Sequence, residues 1–211
     1  MPSTGSNQKV SFSMQRRTRG KRLSGKQVKQ VSRLINKNKR LKQKWLSVDN
    51  QVPSTGSLAE ISDVPQGNGY NQRDSEKILA RSIQLSLSLN STAGGFETSN
   101  VRIMIVRSKK GPLALSDLPG VFVEPNLDNL QVYFDKHYQI NENNSMPVLI
   151  DYYKSFSNGK IPHMVIGYIN ANNAAINNPV YLYYINEPVG GGGPDGPSLE
   201  GYHIIKFFDA N

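Results

Sequence analysis

The chain has 211 residues, which is enough for one core of ordinary size plus a tail. It contains no cysteine, so disulfides, thiolate metal sites and catalytic thiols are excluded. Residues 1–44 hold 14 of the 25 basic residues and no acidic residue, whereas residues 45–211 hold the other 11 basic residues and all 16 acidic ones. The two segments carry +14 and −5, which together give the net charge of +9.

The basic segment is typical of a tail that binds a polyanion, because a block of like charges resists folding alone. Residues 1–23 are polar and basic, and we expect this arm to be disordered when unbound. Its RRTRGKR run at 16–22 also fits a nuclear import signal. No apolar run suits a signal peptide or approaches the roughly 20 residues of a membrane span, so we expect a soluble protein made in the cytosol.

A short amphipathic basic helix is predicted over 24–43. Ser24 and Gln27 fit a capping box, and the residues after them are apolar at helical spacing. The opposite face is rich in Lys and Arg, so one side can dock on protein while the other meets phosphates. The alternative is a solvated surface helix, although the segment lacks the acidic residues that form i,i+4 pairs in such helices.

The basic residues of 1–44 are the candidate nucleic-acid-binding residues. Lys and Arg on a flexible tail displace the counterions condensed on phosphates, so binding should be independent of sequence and should weaken steeply with salt. Trp45 and Tyr70 can stack on single-stranded bases, although such aromatic residues are more often core or interface residues. The fourteen candidates are Lys9, Arg16, Arg17, Arg19, Lys21, Arg22, Lys26, Lys29, Arg33, Lys37, Lys39, Arg40, Lys42 and Lys44.

After Trp45 the apolar period changes to two, which is typical of half-buried strands. We predict eight strands, at 44–50, 57–62, 77–90, 100–107, 131–140, 147–156, 180–186 and 201–208. Because no helix-length pattern alternates with them, a parallel βαβ sheet is excluded. The predicted fold class is all-β: residues 44–211 form a single domain, an eight-stranded antiparallel jelly-roll sandwich.

Some strands are apolar on both faces, most clearly 180–186, where Val180, Leu182 and Tyr184 alternate with other large apolar side chains. Since one face of a sandwich sheet normally meets water, a partner subunit can cover this second face. A central strand that is covered within the monomer would have the same pattern. The sequence leaves both alternatives open.

The order of basic arm, short helix and eight strands resembles that of a small icosahedral coat protein. Within it, SLAEISDVPQGNGYNQRDSEKI at 57–78, NVRIMIVRSKKG and VYFDKHYQI resemble consecutive segments of capsid proteins from small circular single-stranded DNA viruses, the CRESS-DNA type. Those proteins are similar in fold to the satellite tobacco necrosis virus coat protein, which packages RNA. The resemblance covers about residues 44–209, and the arm matches in character only.

This resemblance implies jelly-roll letters B to I for the eight strands and a simple (T=1) icosahedral shell of roughly sixty copies. It also implies that the loops 51–56, 91–99, 141–146 and 187–200 gather at one end of the sandwich, around a fivefold axis. The implied partners are further copies of the chain and a single-stranded genome, more plausibly circular DNA than RNA, with no membrane. The implied location is the virion, with the host nucleus before assembly. The alternatives are an RNA-packaging satellite-virus coat and a non-viral nucleic-acid-binding β-domain.

No enzyme and no cofactor are expected. A cupin-like metal site needs clustered ligands, but His137, His163 and His203 stand apart in the sequence. Ca²⁺ between subunits, held by Asp63, Asp117 and Asp128, is the one metal site to consider, and the spacing of these residues matches no calcium loop.

Overall fold

The computed structural model describes residues 41–91, 98–141, 143, 146–156, 164–169, 173–189 and 196–210. The predicted disordered arm (1–23) and the predicted helix up to residue 40 lie outside these residues. The first strand begins at Lys42, so the last two positions predicted as helix belong to a strand instead. The physical reason is tertiary, because Lys42 is buried and pairs there with carboxylates from two other parts of the chain.

The described secondary structure consists of strands and one short 3₁₀ helix, Leu115–Asp117. No described helix is long and apolar enough to cross a membrane. The strands are β1 (Lys42–Gln51), β2 (Ser57–Glu60), β3 (Lys77–Asn90), β4 (Thr98–Ser108), β5 (Leu130–Asn141), β6 (Val148–Ser155), β7 (Met164–Tyr168), β8 (Ala175–Asn177), β9 (Val180–Val189) and β10 (Ser198–Asp209).

All strand pairs are antiparallel and form two sheets. The first sheet has the order β1-β10-β3, with β6 and then β7-β8 pairing along the free edge of β3. The second sheet has the order β2-β9-β4-β5. The eight predicted strands correspond to β1–β6, β9 and β10, and in chain order they take the letters B to I. The two sheets then have the strand orders B-I-D-G and C-H-E-F, which is the arrangement of a jelly roll with two Greek keys. The predicted all-β jelly-roll sandwich is confirmed.

Two of the ten strands were not predicted. β7 and β8 lie in the segment 157–179, which the sequence assigns to a loop. They are too short to show a clear period, and β7 pairs with the part of β3 that extends beyond β6. β3 pairs with β6 over Ser82–Leu89, which leaves Lys77–Ala80 free to pair with β7.

The main core lies on the inner faces of the two sheets. Alternation places Ile83, Leu85 and Leu89 of β3 inward, and Val101, Ile103 and Ile105 of β4 share the inner face of the second sheet, all with no exposed surface. These inward faces are the ones that the alternating sequence predicts.

Four loops, 51–56, 91–99, 141–146 and 187–200, were expected to gather at one end of the sandwich. The strand ends beside these loops meet at one end of each sheet. Ser198 pairs with both Gln51 and Asn90, and Thr98 pairs with Asn141.

The outer face of the second sheet is also apolar, and the same chain covers it. Met104, Val106, Tyr181 and Tyr183 form a second buried cluster, with Leu113 and Leu118 of the β4–β5 connection packed against it. We call residues 109–129 of that connection the covering loop. Of the two alternatives that the sequence leaves open, cover within the monomer is therefore the one found.

Candidate nucleic-acid interface

Most of the predicted nucleic-acid-binding residues lie outside the described part of the chain, and their role stays a prediction. Lys42 and Lys44 are described, and both lie on β1, where the basic segment joins the β-domain. The twelve outside are Lys9, Arg16, Arg17, Arg19, Lys21, Arg22, Lys26, Lys29, Arg33, Lys37, Lys39 and Arg40.

Lys42 is engaged inside the β-domain. Its Nζ lies 2.6 Å from Asp74 Oδ1 and 2.9 Å from Asp209 Oδ2, and its side chain is only 8% exposed. The Asp74 backbone N–H also donates to Asp209 Oδ1 at 2.8 Å. Burial alone would lower the pKa of Lys42, but the hydrogen bonds to the two carboxylates raise it overall, so the ammonium stays charged. This pairing fixes the start of β1 to the end of β10 and leaves Lys42 poorly placed to meet a phosphate.

Lys44 is half-buried, and its charge acts on His203. His203 lies on the inner face of β10, opposite Leu46 of β1 and Leu85 of β3. Burial, with a smaller contribution from the Lys44 charge, lowers the pKa of His203 to about 4. His203 is therefore a neutral core residue near pH 7, as a structural cross-strand histidine would be.

Trp45 lies on the opposite, outer face of β1. It is 54% exposed, and its ring centroid is 5.7 Å from that of Tyr202 on β10, with the two planes tilted by 32°. Tyr70, the other candidate for stacking, is 45% exposed in the β2–β3 connection, where its carbonyl accepts a hydrogen bond from the Gln43 N–H at 3.4 Å. Tyr202 was not singled out in the sequence, because its place beside Trp45 depends on the pairing of the first strand with the last.

The outer face around Trp45 mixes polar and apolar side chains, and Tyr153 of β6, which is 61% exposed, lies on it opposite Gln84. Register places Gln43 opposite Lys206, and Ile204 lies between Trp45 and Gln84. No carboxylate forms a salt bridge with Lys206 within the described ranges. This face therefore combines aromatic rings, hydrogen-bonding side chains and a cation, which is the combination that binds single-stranded nucleic acid.

Carboxylates occupy another part of the same face. Asp49 lies opposite Glu200, on the far side of Tyr202 from Lys206. Asp151 of β6 accepts a hydrogen bond from Ser86 Oγ at 2.7 Å. The electrostatic attraction for phosphates is thus confined to the Lys206 end of the face.

The outer face of the second sheet is closed by Arg102, whose importance the sequence does not indicate. Arg102 Nε and Nη2 donate to the two carboxylate oxygens of Asp135 at 2.8 and 2.7 Å. Its Nη1 donates to the carbonyls of Gly120 and Val123, at 2.8 and 2.6 Å, in the covering loop. The guanidinium is nearly fully buried and holds the loop over the sheet.

The structure describes Asp63, Asp117 and Asp128 in a single chain, so the Ca²⁺ site expected between subunits stays a prediction. Within the residues that the structure describes, no group of three or more His, Asp or Glu side chains could hold a metal ion. His137 Nε2 hydrogen-bonds the Val121 carbonyl at 2.7 Å, and Asp117 accepts from the Ala114 N–H at 2.8 Å. His163 lies outside the described residues.

Comparisons with known proteins add little. No protein-family model and no curated protein matches the chain. Among solved structures, a chain of desmodium yellow mottle tymovirus is similar with a TM-score of 0.38 and 7% identity, over 94% of this chain and 98% of that one. A likeness this distant supports no conclusion about function, which has to be argued from the residues themselves.

Proposed function

We propose that the chain is a non-enzymatic coat protein that assembles with copies of itself into a closed shell and packages single-stranded nucleic acid through its basic arm. One observation carries the proposal. A segment of 41 residues with +12 and no acidic residue leads directly into the first strand of a jelly roll that has 13 basic and 16 acidic residues, a charge of −3. A free polyanion-binding tail on a compact β-domain separates genome binding from shell building.

The charges explain how packaging would work. About sixty arms, each with the twelve charges that precede the first strand, supply on the order of 700 positive charges inside a shell, enough to offset a similar number of phosphates. Each contact is weak and independent of sequence, so the affinity is collective and falls steeply with salt. The Lys42 pairing with Asp74 and Asp209 gives every arm the same exit point from its domain.

The finer parts of the proposal rest on the sequence resemblance. It favours circular DNA over RNA, a T=1 shell of roughly sixty copies, and passage through the host nucleus with the 16–22 run as import signal. An RNA-packaging coat is the second candidate, because the arm would neutralise either nucleic acid equally well.

The test is assembly of the purified full-length chain. We expect sedimentation and electron microscopy to show closed shells of uniform size that contain nucleic acid. If only monomers or trimers form over a range of salt and protein concentration, the coat-protein proposal fails, and a cellular nucleic-acid-binding β-domain becomes the better account.

Two matched variants test whether the basic arm is the part of the chain that packages nucleic acid. Replacing Arg16 and Arg17 with Gln keeps the length of the arm but removes two charges, so less nucleic acid should be packaged per shell. Replacing Lys136, an exposed lysine of β5, and Lys110, an exposed lysine of the covering loop, with Gln removes the same charge and should leave the packaged amount unchanged. Equal packaging by both variants would count against the arm.

A further inference from the structure

We propose that Trp45 and Tyr202 form a stacking platform for the bases of single-stranded nucleic acid, on the outer face of the first sheet. The choice of ligand rests on the proposed function. Trp45 leaves 54% of its surface exposed although it lies in the middle of a ten-residue strand, and Tyr202 is its ring neighbour at 5.7 Å. We call this pair the aromatic platform.

The platform is held rigidly. β1 and β10 pair without interruption from Lys42–Phe207 to Gln51–Ser198. Trp45 lies opposite Ile204 and diagonal to Tyr202, so both rings project from the same face. A site on paired strands loses less entropy when it binds than a site on a loop, and it keeps its geometry.

The side chains beside the platform match the other parts of a nucleotide. Lys206 lies two positions beyond Ile204 on the same face and can meet a phosphate. Gln84 follows Ile204 across the sheet and can hydrogen-bond a base edge. Since Asp49 and Glu200 lie beyond Tyr202, a bound strand would run toward Lys206 rather than across the acidic end.

A nucleic acid fits this place better than a protein partner. Trp45 is three residues from the buried Lys42, so the platform lies close in sequence to the point where the basic arm joins the β-domain. Gln43 and Gln84 lie near the platform and the exposed ring of Tyr153 lies beyond Gln84, so hydrogen-bonding groups alternate with rings, as binding of single-stranded nucleic acid requires. Stacking on aromatic rings is tolerant of sequence, as packaging of a whole genome requires.

The first experiment uses Trp45 as its own reporter, because it is the only tryptophan of the chain. We expect an oligothymidylate to quench the Trp45 emission of the full-length protein saturably, while a duplex of equal length binds the arm without quenching. The control is the double variant W45F/F122W, which moves the tryptophan to an exposed site on the covering loop and should show no quenching.

Two results would contradict the proposal that bases stack on the aromatic platform. In one, a labelled oligothymidylate saturates the protein while the Trp45 emission stays constant. In the other, the emission shifts to shorter wavelength and resists quenching because another copy, or the predicted helix 24–43, covers the ring before any nucleic acid binds.

The second experiment measures affinity against salt. Base stacking is worth about 1–3 kcal/mol, so Trp45→Ala should weaken binding of oligothymidylate by roughly 5- to 150-fold. The slope of log affinity against log salt should not change, because no phosphate contact is lost. Trp45→Tyr, which keeps a ring, should restore most of the affinity, and Phe122→Ala should have no effect.

An unchanged affinity in Trp45→Ala, or an equal loss in Trp45→Tyr, would contradict a stacking role. Both experiments follow binding of a short oligonucleotide and need no shell. Failure of the coat-protein proposal would therefore leave their outcome intact, and normal shells with an unquenched Trp45 would overturn the platform alone.

Discussion

The outer faces of the two sheets are opposite in character. On the second sheet, Met104 and Tyr183 project outward and are buried beneath the chain's own covering loop. On the first sheet, β3 projects Ser and Gln outward, and Trp45 and Tyr153 remain largely exposed. The covering loop buries the apolar outer side chains of the second sheet, whereas the described part of the chain leaves these two rings of the first sheet exposed.

The largest loss of stability is expected when the covering loop is released from the second sheet. Arg102→Met leaves the Asp135 carboxylate without its bidentate partner and the loop carbonyls of Gly120 and Val123 without a donor. Removing one partner of a buried ion pair costs about 3–5 kcal/mol of unfolding free energy. Urea unfolding of the monomeric protein, followed by Trp45 fluorescence, measures the loss.

The matched control is Arg81→Met, because Arg81 is an exposed arginine of β3 in the first sheet. We expect a change within about 0.5 kcal/mol for it. If the two arginine variants lost equal stability, Arg102 would not be holding the loop as described.

The second largest loss of stability is expected from protonation of His203, a buried histidine of the first sheet. Unlike Arg102, its two ring nitrogens have no hydrogen-bond partner in the part of the chain that the structure describes. Its pKa is about 4 in the folded chain against 6.5 for the ordinary side chain. The unfolded chain therefore binds the proton first, and about 3 kcal/mol of stability is lost as pH falls from 6.5 to 4.

The measurement is the unfolding free energy of the monomer at several pH values, for the wild type and for His203→Leu. Carboxylates titrate in both proteins, so the difference between the two curves isolates His203. We expect the wild type to lose more stability in this range, and parallel curves would contradict the neutral buried state.

A smaller loss of stability is expected when one hydrogen bond to the covering loop is removed. The Tyr183 hydroxyl donates to the Pro119 carbonyl at 2.9 Å, and both groups are buried. Tyr183→Phe should cost about 1–2 kcal/mol and increase amide hydrogen exchange in the covering loop. Tyr153→Phe, at a ring that is 61% exposed on the open sheet, should change neither quantity.

The smallest change in stability is expected for a substitution on the outer face of the first sheet. Leu149 is 73% exposed on β6, and its side chain projects away from the core. Leu149→Ser should alter the unfolding free energy of the monomer by less than about 0.5 kcal/mol. A loss comparable to that of Tyr183→Phe would show that the first sheet is also covered.

Sequence reasoning predicted the eight jelly-roll strands well because period-two alternation is a local signal. The run Ile83 to Leu89 and the two faces of β4 are as the pattern indicates. β7 and β8 were not predicted, since strands of five and three residues show little alternation, and the pairing of β7 with the end of β3 and of β8 with β7 depends on the tertiary fold. The sequence was also unable to decide what covers Met104, because the loop that does so contacts it only through the tertiary fold.

The candidate site was predicted in part. Charge marks the arm, but composition cannot distinguish a free lysine from Lys42, which two distant carboxylates engage. Likewise, Trp45 is visible in the sequence, whereas Tyr202 becomes its neighbour only when the last strand pairs with the first.

Nuclease treatment of the assembled, purified full-length protein tests the central claim most directly. The account predicts single-stranded DNA that survives both DNase and RNase until the particles are dissociated by high salt. Survival of RNA alone would favour the RNA-packaging coat. Digestion of all bound nucleic acid, with no protected fraction, would contradict a protein that encloses a genome.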